Sequence, residues 1–310
     1  MALTILEAAK LSPNDVVRSA VVEMYAQNSD ILRVLPFEDI PGNALQYSRE
    51  EVLPGVGFRG VNEGYTESTG VLNPFTESLV IAGGDLDVDK FIVDTRGANQ
   101  RSVQEAMKIK ALAHRWTLAF LKGDMSSDAR EFDGLQRRIP EGSSQLLDNG
   151  ASSGGDVLSL FNLDKLIAQV DDPNYLIMNK TMILRLTQAA RNTSIGGFIT
   201  FAPDEFGRRV TMYNGLPILM ADYDNENAQI LPFTEAADSG TSQCTSIYCC
   251  ALGDGMLTGI QNGSISVRDL GELETKPVYR TRVEWYNGMA VFQGKAVARL
   301  RYIKDGAVAV

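Results

Sequence analysis

The stretch LAFLKGDMSSDAREFDGLQRRIP, residues 118–140, ends a long helical pattern, crosses a polar loop and places Phe132-Asp133-Gly134-Leu135 just before a basic pair. Before it, from about residue 98 to 122, apolar side chains recur at alternating steps of three and four. They are Ala106, Ile109, Ala113, Trp116 and Phe120. This spacing defines one helix face and predicts a helix of roughly 37 Å that stops at Gly123.

The chain before this helix divides into two parts. Residues 1–35 combine short helical runs with breakers such as Ser12-Pro13, which predicts an arm with little core of its own. Residues 36–95 are rich in glycine and proline and predict two extended strands joined by a glycine-rich tip. An isolated hairpin is marginal in water, so this segment should rest on something else.

The chain after the helix predicts an α+β body over residues 145–265. FNLDKLIAQV indicates a helix, NYLIMNKTMILRLTQAARNT a strand followed by a helix, and Asn214-Gly215 a hairpin turn. From 276 to 304 the pattern alternates strictly, with Tyr279, Thr281, Val283 and Trp285 on one face. Asn287-Gly288 is interpreted as a turn into a returning strand, so that a long antiparallel sheet closes the chain.

Composition narrows the class of protein. The chain has 310 residues, 44% of them hydrophobic, and a net charge of −10. Because affinity for nucleic acid depends on Lys and Arg, this charge argues against a protein whose main task is gripping DNA. The N-terminus lacks the plan of a secretion signal and no apolar run suits a membrane span, so we expect a soluble, cytosolic protein. The cysteines, Cys244, Cys249 and Cys250, are expected to be buried thiols.

Catalytic motifs are weak throughout. Gly150-Ala151-Ser152-Ser153-Gly154 matches a nucleophile elbow, but no buried strand precedes it and the only histidine, His114, comes earlier on the helix. A packed or surface His114 is favoured over a general base. Asp85, Asp87 and Asp89 alternate along a strand, which favours a charged face over a calcium site. Gly253-Asp254-Gly255 favours a turn over a phosphate loop. We therefore expect no enzyme activity, no cofactor and no metal.

The order of these parts resembles the major capsid proteins of tailed double-stranded DNA bacteriophages, which have the Hong Kong 97 fold. The likeness covers essentially the whole chain. It rests on FDGL after the helix, on Asn179-Lys180-Thr181 opening a helix after a strand, on NGLPILMAD, on ALGDGMLTGIQNG and on the alternating C-terminus. The family suggests an N-terminal arm (1–35), an extended loop (36–95) and a peripheral domain with a spine helix (96–144). An axial domain (145–265) and C-terminal strands completing the peripheral domain (266–310) would follow.

The resemblance also implies a function. It suggests subunits that assemble as hexamers and pentamers into an icosahedral head shell in the host bacterial cytoplasm, enclosing phage DNA without reading its sequence and without a membrane. A separate scaffolding protein, a portal and a decoration protein would be partners. In this picture Phe132 and Leu135 pack and Gly134 turns the chain. The family's covalent lysine–asparagine crosslink is not expected, because residues 36–89 contain no lysine.

Charge is segregated along the sequence. Residues 41–90 hold eight acidic against three basic side chains, and residues 276–310 hold seven basic against two acidic ones. This predicts that the acidic loop of one subunit lies over the basic sheet of the next. The candidate contacts are Glu50, Glu51, Glu63, Glu67, Asp85 and Asp87 on the loop, and Arg280, Arg282, Arg299 and Arg301 on the sheet.

Two alternatives stay open at this stage. An encapsulin-type compartment for protein cargo shares the fold, and a gene beside a cargo enzyme rather than portal and terminase genes would favour it. A small serine hydrolase using Ser152 is a more distant alternative.

Overall fold

The computed structural model describes residues 3–4, 29–96, 99–150, 154–191, 197–203, 209–221, 223–237 and 242–309. The helical runs predicted for the arm lie almost wholly in residues 5–28, outside the described residues, and so does the Ala151-Ser152-Ser153 part of the predicted elbow. No helix in these ranges is both long and apolar enough to span a membrane.

The described residues form short helices, one long helix and strands of very unequal length. The helices are α1 (Asp30–Val34), α2 (Lys90–Arg96), α3 (Asn99–Lys122), α4 (Leu135–Arg138), α5 (Leu160–Ala168) and α6 (Lys180–Ala189), with a 3₁₀ turn at Gly294–Ala296. The strands are β1 (Leu3–Thr4), β2 (Pro36–Asp39), β3 (Ala44–Val52), β4 (Val71–Ser78), β5 (Val80–Asp89), β6 (Leu146–Asp148), β7 (Asp156–Ser159), β8 (Tyr175–Asn179), β9 (Ile199–Pro203), β10 (Arg209–Tyr213), β11 (Leu216–Ala221), β12 (Glu235–Ala236), β13 (Ser242–Cys250), β14 (Leu257–Gln261), β15 (Ser266–Glu272), β16 (Val278–Val291) and β17 (Val297–Ala309).

The strands build three sheets. A six-stranded sheet has the order β1-β2-β14-β16-β15, with β5 also paired to β16. A nine-stranded sheet follows the order β6-β17-β13-β8-β11-β10-β9, with β12 on β13 and β7 on β17. The hairpin β3–β4 is a separate two-stranded sheet. The architecture is α+β, as the sequence predicted.

The long helix α3 is the predicted spine helix, and its buried face is the predicted one. Ile109, Ala113, Trp116 and Phe120 are all buried. The Trp116 ring lies 5.2 Å from that of Phe120 and 6.2 Å from that of Phe132, centroid to centroid. Its Nε1 donates a hydrogen bond to Asn287 Oδ1 at 3.2 Å, which connects the helix to β16.

The FDGL segment folds back onto the end of this helix. Gly134 N donates to Gly123 O at 2.9 Å, and Phe132 and Leu135 are buried. A Cβ atom on Gly134 would lie 2.6 Å from Ala119 O, so only glycine permits this backbone approach. The polar loop between the helix and FDGL is therefore a tight return of the chain.

The nine-stranded sheet contains the elements predicted for the body. Asn179 ends β8 and caps α6, accepting a hydrogen bond from Met182 N at 2.7 Å. Asn214 and Gly215 have φ values of 49° and 81° and turn the hairpin β10–β11, as predicted. The turn predicted at 253–255 connects β13 to β14.

Three predicted features of organisation differ in the structure. The end of the arm belongs to the core, because Ile31, Leu32 and Leu35 are fully buried. The predicted extended loop, 36–95, is shorter: only β3–β4 and its tip stand apart, while β2, β5 and α2 belong to or flank the six-stranded sheet. β14, predicted within the axial domain, also lies in the six-stranded sheet.

The C-terminal prediction requires two corrections. Asn287-Gly288 is not a turn, because β16 runs through it without interruption and pairs with β14 and β5 on either side. Gly288 is needed instead for space, since a Cβ there would meet Ile260 and Ser78 O at 3.1–3.2 Å. The strands β16 and β17 do not form one closing sheet: β17 joins the nine-stranded sheet, between β13 and β6.

Candidate intersubunit surfaces

The hairpin tip, residues 53–70, is the most exposed apolar surface that the structure describes. Val56, Phe58 and Val61 are each more than 90% exposed, and Leu53 and Tyr65 more than 70%. Large apolar side chains in such a cluster are rarely left in water by a monomeric protein and usually mark an interaction site. Sequence analysis predicted the tip from its glycines but did not predict that its apolar residues would be the exposed ones.

The root of the hairpin, by contrast, is packed within its own subunit. Leu45, Tyr47 and Leu79 contact a small buried cluster of Ile40, Ile260 and Ala290. The Tyr47 ring lies 4.9 Å from that of Phe292, and its hydroxyl donates to Val291 O at 3.0 Å. The root of the hairpin is therefore held by contacts within its own subunit, whereas the tip is not. The sequence did not indicate these root contacts.

The acidic strand β5 and the basic strand β16 are partners within one subunit. Their register places Asp85 opposite Arg282 and Asp87 opposite Arg280. Asp85 Oδ1 accepts from Arg282 Nε, and Asp87 Oδ1 from Arg280 Nε, both at 2.6 Å. Hydrogen bonds from the arginines hold the pKa values of both carboxyl groups below their usual range. The prediction that these four residues meet across subunits is corrected: they form a cross-strand ladder inside the chain.

The other two predicted basic contacts are also satisfied internally. Arg299 is only 7% exposed, and its guanidinium contacts Ser246 Oγ and Glu235 Oε2, each at 3.0 Å. Arg301 Nε donates to Asp148 Oδ1 at 2.6 Å. Both arginines lie on β17 in the nine-stranded sheet, not beside Arg280 and Arg282. The basic surface inferred from the sequence is therefore divided between two sheets and largely neutralised.

The acidic residues of the hairpin have different positions. Glu50, on β3, is exposed, and Glu51 follows it on the same strand. Glu63 and Glu67 lie in the exposed tip, and Glu63 Oε2 accepts from Gly60 N at 2.8 Å. The contact of these loop acids with a neighbouring subunit stays a prediction.

The remaining polar candidates have structural surroundings. Asp89 Oδ1 accepts from Phe91 N at 2.8 Å and so caps the start of α2. The three cysteines are free and fully buried, and burial raises the pKa of Cys249 to about 12. Burial also lowers the pKa of His114, which disfavours its charged form. Within the described ranges, no group of three or more acidic, histidine or cysteine side chains could hold a metal ion.

A cleft of about 320 Å³ lies between the start of β5 and the middle of α3. Its lining includes Ile81, Lys108, Ala111 and Trp116, together with the ion pair between Glu131 and Arg115. Ile81 is 71% exposed at its edge. Both apolar and charged side chains line the cleft, a combination that suits another segment of polypeptide.

This architecture is the Hong Kong 97 fold of protein shells: a hairpin standing off the body, a long helix, and two large sheets. Solved structures of that fold match nearly the whole chain. The SrpI encapsulin from Synechococcus elongatus is 16% identical, with a TM-score of 0.64 over 100% of this chain and 99% of its own. The capsid of a native GTA particle is 14% identical, with a TM-score of 0.62 over 89% and 90%.

A chain of Mycobacterium phage Bobi is similar to the same extent, at 13% identity and a TM-score of 0.61 over 90% of this chain and 91% of its own. No protein-family model and no curated protein match the sequence. At these identities the similarity shows the fold alone. It confirms the fold that the sequence predicted and is shared equally by phage-type capsids and encapsulins.

Proposed function

We propose that the chain is the subunit of a closed protein shell, a phage-type major capsid protein that assembles as hexamers and pentamers around double-stranded DNA. The observation that carries the proposal is the hairpin tip. Its apolar side chains are exposed on a fold that in its solved relatives builds shells and particles. If one tip contact were repeated through a closed symmetric assembly, every tip would be buried and none would stay exposed.

The acceptor for the tip would be a second copy of the chain. The cleft between β5 and α3 is a suitable surface, since apolar residues in its lining, such as Ile81, Ala111 and Trp116, complement the apolar tip. A scaffolding protein, a portal and a decoration protein are proposed as further partners, and assembly in the host cytoplasm as its location. A purely structural role without catalysis is part of the same proposal.

Electron microscopy of the expressed and purified protein tests this function. Closed shells, tubes or ring-shaped capsomers are expected, and Phe58→Asp should leave the subunit folded but dispersed because it places a charge where apolar burial is required. The matched control is Phe161→Asp, at an exposed position of the body, and this variant should still assemble. A protein that stays monomeric at all concentrations would contradict the proposal.

An encapsulin is the second candidate, favoured by the match to SrpI over the full length of both chains. The contents of shells purified from the native source distinguish the two. Nuclease-protected double-stranded DNA supports a head shell, and a packaged enzyme supports a cargo compartment. A hydrolase acting through Ser152 would require esterase activity that Ser152→Ala abolishes.

A further inference from the structure

Arg138, the second residue of the basic pair that follows FDGL, connects three parts of the subunit. Its Nε donates to Asp133 O at 2.8 Å, in the return after the spine helix. Its Nη2 donates to Met289 O at 3.0 Å, on β16. The same guanidinium forms a two-pronged ion pair with Glu77 of β4, in which Nη2 lies 2.7 Å from Glu77 Oε2.

This ion pair lies at the root of the hairpin and is shielded from water. The Arg138 and Glu77 side chains are only 13% and 17% exposed. A bidentate guanidinium–carboxylate pair fixes both distance and angle, unlike a single contact to a lysine. Tyr47 adds to the cluster, since its hydroxyl lies 3.3 Å from Glu77 Oε1.

The other contacts at the root of the hairpin are single hydrogen bonds and apolar contacts. The chain leaves the body beside Gly42, whose φ is 114° and around which nothing would contact an added Cβ. Apart from the polar cluster, Asn262 Nδ2 donates to Gly42 O at 2.8 Å, Arg49 donates to Val291 O, and Leu45 and Leu79 contact Ile260. Apolar contacts are non-directional, and a single hydrogen bond restrains direction less than a bidentate ion pair, so the Glu77–Arg138 pair is the contact that restrains the angle of the hairpin most.

The length of the hairpin makes this angle matter. About eleven residues separate Tyr47 from Phe58, a reach of up to about 36 Å at the rise of a strand. A pivot of about 10° at the root would therefore move the tip by roughly 6 Å, more than the width of a strand spacing. Such a displacement would carry Phe58 out of register with any fixed acceptor.

We propose that the Glu77–Arg138 pair is a positioning clamp that sets the direction of the hairpin and so prepares the subunit for assembly. Arg138 acts through the hairpin and need not touch the neighbouring subunit. The assembly consequence rests on the proposed shell function, but the effect on hairpin direction does not.

Distance measurement between two spin labels tests the clamp directly. One label is attached through Thr69→Cys in the tip and the other through Gln104→Cys on α3, both exposed positions. The native cysteines are fully buried and should not react. Glu77→Gln and Arg138→Lys are each expected to broaden the tip-to-body distance distribution at least twofold, with near-ultraviolet circular dichroism unchanged.

The matched control is Glu235→Gln, which weakens another buried ion pair, that with Arg299, far along the chain in the nine-stranded sheet. It should lower thermal stability but leave the distance distribution unchanged. Assembly is compared at the protein concentration at which half of the unaltered protein is assembled. The assembled fraction should fall at least tenfold for Glu77→Gln and Arg138→Lys, and less for Glu235→Gln.

The proposal would be overturned if both clamp variants kept the wild-type width of the label-to-label distance distribution. Equal broadening of that distribution by Glu235→Gln would also overturn it. Unfolding of Glu77→Gln would also overturn it, because the pair would then be required for the fold itself. If the unaltered protein forms no shells, the proposed function fails, while the label distances still decide whether the clamp exists.

Discussion

At the scale of single residues, two glycines determine how the chain returns from the spine helix. Gly123 and Gly134 lie against each other, joined by the 2.9 Å hydrogen bond from Gly134 N to Gly123 O. Backbone atoms surround the space that a side chain on Gly134 would need. Because backbone cannot rotate away as a side chain can, the helix end and FDGL would have to separate to admit even a methyl group.

We therefore expect Gly134→Ala to reduce the free energy of unfolding by about 1 to 3 kcal/mol, measured by urea denaturation. Gly253→Ala is the control, because nothing lies within 4 Å of a Cβ at that position. Equal stability of the two variants would show that the return after the helix is looser than its backbone distances indicate.

Phe120 tests the buried face of the spine helix. It is fully buried and stacks on Trp116, so Phe120→Ala should cost about 3 to 5 kcal/mol of folding free energy. Leu184→Ala on α6, where the leucine is 55% exposed, should cost far less. A small effect at Phe120, by calorimetry or denaturation, would contradict the observed packing.

Sequence patterns predicted these residues because helical spacing reports burial locally. Trp116 and Phe120 followed from position in the helical pattern, whereas the packing of Phe132 and Leu135 was expected from the resemblance to the capsid family. The role of Asn287-Gly288 was not predicted. An Asn-Gly pair indicates a turn only when the two residues make no required contact with distant parts of the chain. Here Asn287 accepts a hydrogen bond from Trp116, 171 positions away, and Gly288 makes room for Ile260. These long-range contacts exist only in the folded molecule.

At the scale of elements, alternation predicted strands but not their partners. The 13-residue sequence of β17 predicts a strand, but that prediction is the same whether the strand pairs with β16 or with β13. Arg299 was accordingly taken for a surface charge, and its buried partner Glu235 was not identified. Partner choice depends on long-range packing, which periodicity does not encode.

The ladder between β5 and β16 should make subunit stability depend on pH. Asp85 and Asp87 have lowered pKa values when folded, so their contribution is present above the ordinary aspartate range near 3.9 and is lost as pH falls through the lower folded values. Replacing both by asparagine should flatten the decline of unfolding free energy on the acid side. Glu226→Gln, in an exposed loop, should leave that decline unchanged.

Reversal of Arg280 and Arg282 to glutamate should destabilise the subunit itself, because each would face an aspartate directly across the strands. Adding Asp85→Arg and Asp87→Arg to the same chain should restore thermal stability. Restoration only when the aspartate changes are on a different, co-assembled chain would instead support a contact between subunits.

At the scale of the whole molecule, the subunit combines a body that has a continuous core with a hairpin whose tip has none. The spine helix and both large sheets share one continuous set of buried residues, from Ile31 to Ile303. The hairpin has only its small root cluster. The sequence predicted this division from glycine and proline content, but the root anchor depends on Tyr47, Glu77 and Arg138, which come from segments separated by up to 91 positions and carry no local signal.

This division predicts how hydrogen exchange should differ between free subunits and assembled shells. In the free subunit, amides of residues 53–70 should exchange nearly as fast as in an unfolded peptide, because the tip is exposed throughout and lies beyond the β3–β4 ladder. Amides of β8, whose Leu176, Ile177 and Met178 are fully buried, should be protected in both states and serve as the internal control. Assembly should slow exchange in the tip by at least tenfold if a neighbouring subunit covers Val56, Phe58 and Val61. Equal protection of the tip in both states would mean that these apolar residues are not part of a shell contact, and the exposed tip would then need another partner.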